Sequence, residues 1–168
     1  MNWTDQQRAT LAWLERAVAE GRPFRSIADE LVVHLHRGYV HYDWVGVYMV
    51  EGEVLRLWSW AGPAPTQHVE IPLHQGLCGW AASTGQVANV PDVRADDRYL
   101  QCFLNTRSEL VVPITHAGQV YGEIDIDSDQ VAAFTAADEA FIGRLCALLG
   151  ERAAAEGLIG RVPASADR

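Results

Sequence analysis

Residues 122–128, Gly-Glu-Ile-Asp-Ile-Asp-Ser, restrict what this chain can fold into more than any other stretch. Side chains alternate along a strand, so Gly122, Ile124, Ile126 and Ser128 share one face, and Glu123, Asp125 and Asp127 the other. The first face needs an apolar layer to cover it. The second admits two readings: a solvated outer surface, or the floor of a pocket that holds a cation or keeps an acid protonated. Adjacent carboxylates on one face repel, so the strand carries a cost in either case.

The remaining elements follow from period and punctuation. Residues 4–20 predict a helix: Thr4 with Gln7 fits a capping box, Leu11, Leu14 and Val18 mark one face, and Gly21 and Pro23 end it. A second helix runs from Ser26 to about Gly38, with Ile27, Leu31 and Leu35 on one side. Residues 44–50 and 54–60 are β-rich runs separated by Glu51-Gly52, a hairpin signal. Short strands follow at 68–73 and 87–90, with a short helix at 77–83 closed by Thr84-Gly85. Residues 92–106 show no sustained period, and a connection of that length is usually functional or mobile. Strands at 107–115 and 119–128 meet at Ala117-Gly118. Thr135, with Asp138, caps a last helix whose stripe is Phe141, Leu145, Leu148 and Leu149. This order predicts an α+β fold: one central antiparallel sheet, helices packed on one face, and a ligand pocket on the other.

Composition narrows the function. A chain of 168 residues, 49% hydrophobic and 21% charged, predicts one globular domain. A net charge of −9 argues against nucleic acid and anionic membrane as partners. No apolar run approaches a membrane span, and MNWTDQQ lacks the basic flank and apolar core of a secretory signal, so a cytoplasmic location is expected. Cys78, Cys102 and Cys146 are odd in number and widely spaced, which fits neither a disulfide framework nor paired zinc ligands. His34 and His36, two apart on a helix, do not share a face. Neither a metal nor a cofactor is expected.

Roughly residues 25–152 resemble a GAF domain, through Arg107-Ser108-Glu109-Leu110-Val111-Val112-Pro113, the acid-bearing strand and the closing helix. Narrower features resemble the free methionine-(R)-sulfoxide reductases within it: Trp44-Val45-Gly46-Val47-Tyr48, Gly76-Leu77-Cys78-Gly79, Cys102, Arg107-Ser108-Glu109 and Asp125-Ile126-Asp127-Ser128. The C-x23-C spacing of Cys78 and Cys102 also matches. The resemblance implies reduction of free methionine-(R)-sulfoxide through a thiol, a sulfenic acid and a disulfide. Trp44 and Tyr48 would pack the apolar part of the ligand. Glu109, Asp125 and Asp127 would bind its polar end, with Glu109 or Asp127 supplying a proton. Cys102 would attack and Cys78 resolve, or the two could exchange roles. A thioredoxin-like thiol would be the reductant. Two departures stand out. His68 occupies the position where family members commonly carry a third cysteine, and Trp80 stands where a small or hydroxyl residue is common.

Each of these residues has a second reading. Cys78 opens a helix, which would lower its pKa, but it could be a small buried hydrophobe. Cys146 lies on an apolar helix and reads as core. Glu109 could simply pair with Arg107 on the same strand side. A GAF module that binds a small molecule without turnover is the alternative function. The expected organisation is an N-terminal helix over 1–24, for packing or for dimer contact, a GAF domain over 25–156 and a disordered tail over 157–168. A homodimer through the terminal helices is expected.

Overall fold

The acid-bearing strand lies at the centre of the molecule. The computed structural model describes residues 2–164. In chain order it contains α1 (Asp5–Ala19), α2 (Phe24–Gly38), β1 (Trp44–Glu51), β2 (Val54–Ala61), β3 (Glu70–Pro72), α3 (Gly76–Thr84), β4 (Ala88–Val90), β5 (Ser108–His116), β6 (Gln119–Ser128) and α4 (Ala136–Glu156). One 3-10 turn, Val93–Ala95, interrupts the long connection before β5. The strands form one antiparallel sheet in the order β3-β2-β1-β6-β5-β4. β1–β2 and β5–β6 are local hairpins. The β1–β6 pairing joins them, placing the first strand of the chain beside the last.

The sheet separates two apolar layers. On one side α2 packs on β1 and β2, α4 packs on β5 and β6, and α1 closes over α2 and α4. Val45, Val47, Ile124 and Ile126 meet Leu14, Ile27, Leu31, Phe141 and Leu145 there. Burying each such side chain contributes about 1.5–3 kcal/mol. On the other side α3 packs on β2, β3, β5 and β6, and Leu77 and Cys78 join Trp44, Tyr48, Ile71 and Val111. The α+β class and the antiparallel sheet are as expected. The second sheet face, however, is not left open: α3 and the 91–107 connection roof it.

Both expected capping boxes form: Thr4 and Thr135 accept the amides of Gln7 and Asp138, whose side chains reach back to the cap amides. Each cap contributes about 1 kcal/mol. Helix α2 starts at Phe24, two residues before the expected Ser26. The Phe24 amide donates to Glu156 Oε2 at 2.7 Å, so the end of α4 caps α2 and no local side chain is needed. The apolar face of α1 is consumed within the chain, where Leu11, Leu14 and Ala17 are buried.

The tail expected to be disordered from Gly157 is instead held over its described part. Gly157, with φ +81°, ends α4 in the left-handed conformation. The chain then returns to the sheet. Val120 and Arg161 exchange backbone hydrogen bonds of 2.8 and 2.9 Å, and the Ala164 amide donates to the Ser83 carbonyl. These bonds occupy an otherwise unpaired edge of the β5–β6 turn region and α3. The last part of that expectation, 165–168, lies outside the described residues.

Candidate active site

The floor of the site is set by register. Residues directly opposite in an antiparallel pair project to the same face. Asp127 lies between Trp44 of β1 and Glu109 of β5, Asp125 between Gly46 and Val111, and Glu123 between Tyr48 and Pro113. Three strands thus bring Trp44, Tyr48, Glu109, Asp125 and Asp127 onto one face, together with Glu123. Gly46 is the gap in this array. A Cβ there would come within 2.4 Å of the Trp44 ring, so the indole lies across the bare glycine backbone. The indole then stacks on Trp60 at 6.4 Å and meets Phe103 at 5.8 Å and Tyr48 at 6.5 Å. The Tyr48 hydroxyl donates to the His68 carbonyl at 2.7 Å.

The acidic face is not solvated. Glu109 is 3% exposed, Glu123 0%, Asp125 1% and Asp127 2%. Both oxygens of Glu123, Asp125 and Asp127 lack a hydrogen-bond partner, as does Trp44 Nε1. A buried, unpaired carboxylate is expensive, and such groups hold their proton instead. Burial, reinforced by the neighbouring carboxylates, pushes Glu109 and Asp127 well above the ordinary range. Burial does the same to Glu123. Burial pushes Asp125 up to about 6, a smaller rise because Glu109 and the Cys78 thiol partly offset it. The alternative pairing of Glu109 with Arg107 does not occur: Arg107 turns to Asp92 at 3.5 Å.

The roof carries the thiols. Gly76, at φ +69°, lies so close to the connection that an added Cβ would meet Leu100 Cβ at 3.0 Å. Two residues later Cys78 points down from α3. Its sulfur and one carboxylate oxygen each of Glu109 and Asp125 all lie within 4.8 Å of one another. These three are the donors that could hold a metal ion. Cys102, half-buried, rests its thiol on the Leu100 carbonyl at 3.5 Å. It lines two spaces. One is a cavity of about 460 Å³ bordered also by Trp44, Phe103, Thr106 and Asp127. The other is a tight gap shared with Cys78 and Glu109. A slightly larger hollow, about 540 Å³, lies under residues 157–161 and contains none of these groups. Size therefore does not locate the site; the concentration of buried acids and thiols does.

The expectation that helix α3 lowers the Cys78 pKa is overturned. Burial pushes the thiol well up, and Asp125, Glu123 and Glu109 add to it. Cys102 is also pushed up, by burial and by Asp125 and Asp127. Both thiols rest protonated. Cys146, buried against the Val112 carbonyl on the other side of the sheet, is core as expected.

Three neighbours were not assigned to the site from sequence. Glu123 was visible in the alternation but lacked a role. Phe103 lies in the aperiodic connection, which gives no facing signal. His68 donates through Nε2 to the Gln101 carbonyl at 3.0 Å, one residue before Cys102. Trp80 meets the same connection: the Arg98 guanidinium lies over its ring at 4.5 Å, and Arg98 also pairs with Asp96.

Residues 23–152 match the GAF domain family. The chain is 35% identical to free methionine-R-sulfoxide reductase of Escherichia coli over 64% of this chain, spanning 64% of that relative's length. Its fold superimposes on a type II free methionine-R-sulfoxide reductase from Thermoplasma acidophilum with a TM-score of 0.74 and 40% identity, covering 77% of this chain and 91% of that one. It also matches free methionine-R-sulfoxide reductase from Neisseria meningitidis, solved in complex with its substrate. There the TM-score is 0.82 at 29% identity, over 94% and 95% of the two chains.

Proposed function

We propose that this chain, which belongs to the GAF domain family, reduces free methionine-(R)-sulfoxide to methionine with two of its cysteines. One observation carries the reading: Cys78, Cys102 and Glu109 line one gap, above buried carboxyls that have no partner. A free amino acid supplies the missing partner in its ammonium group. Its apolar part fits the aromatic wall of Trp44 and Tyr48, and the relatives named above act on this substrate.

Binding also activates the site. The carboxylates add to the burial that holds both thiols protonated; an ammonium that neutralises them removes their share, so substrate lowers the thiol pKa that the free protein raises. Cys102 sulfur then attacks the sulfoxide sulfur, and its proton passes to a carboxylate of the row. Glu109, kept protonated by burial, gives a proton to the sulfoxide oxygen, as general acid catalysis requires. The oxygen then passes from the substrate sulfur to Cys102 as the S–O bond and the new S–S bond to the substrate break, so methionine leaves and Cys102 is a sulfenic acid. The Cys78 thiol displaces it as water, forming a disulfide. Two thiols are oxidised, one sulfoxide is reduced, and one water is released. A thioredoxin-like thiol in a reducing, cytoplasmic setting returns the two electrons.

Thiol titration before and after addition of each sulfoxide epimer tests this. The R epimer is expected to consume two thiols and yield one methionine per chain without reductant. Cys102→Ser abolishes the reaction. Cys78→Ser releases about one methionine per chain and stalls as sulfenic acid. If neither epimer consumes thiols, the non-catalytic binding module is the correct reading. A homodimer belongs to the same proposal, paired through the outward faces of α1 and α4. Light scattering at tens of micromolar that returns the 18.5 kDa chain mass refutes it.

A further inference from the structure

The same buried acids create a demand that an ammonium group is not alone in meeting. Cys78, Glu109 and Asp125 offer a sulfur and two oxygens within 4.8 Å of one another, on two strands and a helix that the core fixes in place. Asp125 is 1% exposed with both oxygens unpartnered. Glu123, two residues before it on the same strand face, is fully buried, equally unpartnered, and close enough for its charge to act on the Cys78 thiol. It lies beside these three donors.

We propose that Cys78, Glu109 and Asp125, with Glu123 beside them, bind one thiophilic divalent cation of the zinc or cadmium type. A tetrahedral zinc ion holds sulfur at about 2.3 Å and carboxylate oxygen at about 2.0–2.2 Å, which spaces donors by roughly 3.5 Å. The observed donors lie within 4.8 Å of one another, and side-chain rotation closes that spacing to this value. The thiolate selects zinc or cadmium over magnesium and calcium, which prefer an all-oxygen shell. On binding, the Cys78 S–H bond and the O–H bond of each ligating acid that holds a proton, Glu109 among them, break; these protons go to solvent, and sulfur–metal and oxygen–metal bonds form, with no electrons transferred. The ion takes the carboxylates that would hold an ammonium and occupies the thiol that would resolve a sulfenic acid. Metal binding thus makes the site reversibly redox-silent. This second consequence rests on the reductase reading; the binding itself does not.

The test uses the full-length reduced protein, freed of metal, and no sulfoxide. Cadmium chloride is titrated while the ultraviolet thiolate-to-cadmium charge-transfer band is followed. The expected result is one equivalent per chain, with proton release in weakly buffered solution. Zinc chloride should displace cadmium with the same stoichiometry, and magnesium should not. The band should vanish in Cys78→Ser and persist in Cys102→Ser and Cys146→Ser. Asp125→Asn and Glu123→Gln, each checked for native circular dichroism, should weaken binding by at least about tenfold, the lower bound for losing a group that merely supports a ligand. A band that survives Cys78→Ser, one that requires Cys102 instead, or none at millimolar cadmium overturns the proposal. Because the readout is optical, a reductase that ignores cadmium and a cadmium-binding chain without reductase activity are distinguished.

Discussion

At the scale of single residues, the acids set the pH dependence of the empty protein. Asp125 titrates at about 6 when folded against 3.8 ordinarily. An acid whose pKa rises on folding favours the fold only while protonated. Its contribution is complete below its ordinary pKa and is lost as pH rises through the folded value. Asp125 loses its contribution between those limits, and Glu109, Glu123 and Asp127 act in the same direction. Urea unfolding of the reduced, ligand-free protein should therefore show stability falling between about pH 4 and pH 6, the span of the Asp125 shift. Asp125→Asn should flatten that slope and make the protein more stable at pH 7.5 while weakening its ligand affinity. A wild-type profile that is flat from about pH 4 to pH 6 contradicts this account. Sequence alone gave the wrong sign for Cys78 for a related reason. The helix start was a local feature and could be read. Burial of the thiol against the sheet, and the opposing charges of β5 and β6 far along the chain, exist only once the fold has formed.

At the scale of elements, the connection before β5 is tied down where its length suggested mobility. Its anchors are the two residues that depart from the family pattern. His68 bonds the Gln101 carbonyl, and Trp80 carries Arg98 on its face. A hydrogen bond of this kind contributes about 1 kcal/mol, roughly fivefold in an equilibrium, and an exposed cation–π contact a similar amount. His68→Ala and Trp80→Ala should each speed alkylation of Cys102 severalfold, as the half-buried thiol comes free. Each should also slow the formation of the Cys78–Cys102 disulfide in a single turnover. His68→Gln, which can still donate to the carbonyl, should remain close to wild type. Equal alkylation rates in all four proteins would remove both side chains from any positioning role. These contacts were illegible in the sequence because aperiodic segments carry no signal of what they face. The hairpins and capped helices, by contrast, were read within one or two residues, since alternation and capping are local.

At the scale of the whole molecule, the sheet is a partition with a different chemistry on each side. Its helix-covered face was legible from the 3.6-residue spacing of Leu31 and Leu35 in α2 and of Phe141 and Leu145 in α4. Its other face was left open by the same reading, because α3 is short and its burial depends on contacts with four strands at once. The returning segment at Arg161 was missed for want of any apolar pattern to announce it. β6 belongs to both sides, with a partner strand along each edge and Ile124 and Ile126 alternating with the three acids. That alternation also acts while the chain is still finding its shape. A slip of one residue against β1 or β5 would turn every side chain of β6 over. Three carboxyl groups would then enter the aliphatic layer under α2 and α4, and two isoleucines would face the pocket. The neighbouring alignment is thus ruled out by the groups that equip the site, and the acids proofread the assembly of the sheet before they meet any ligand.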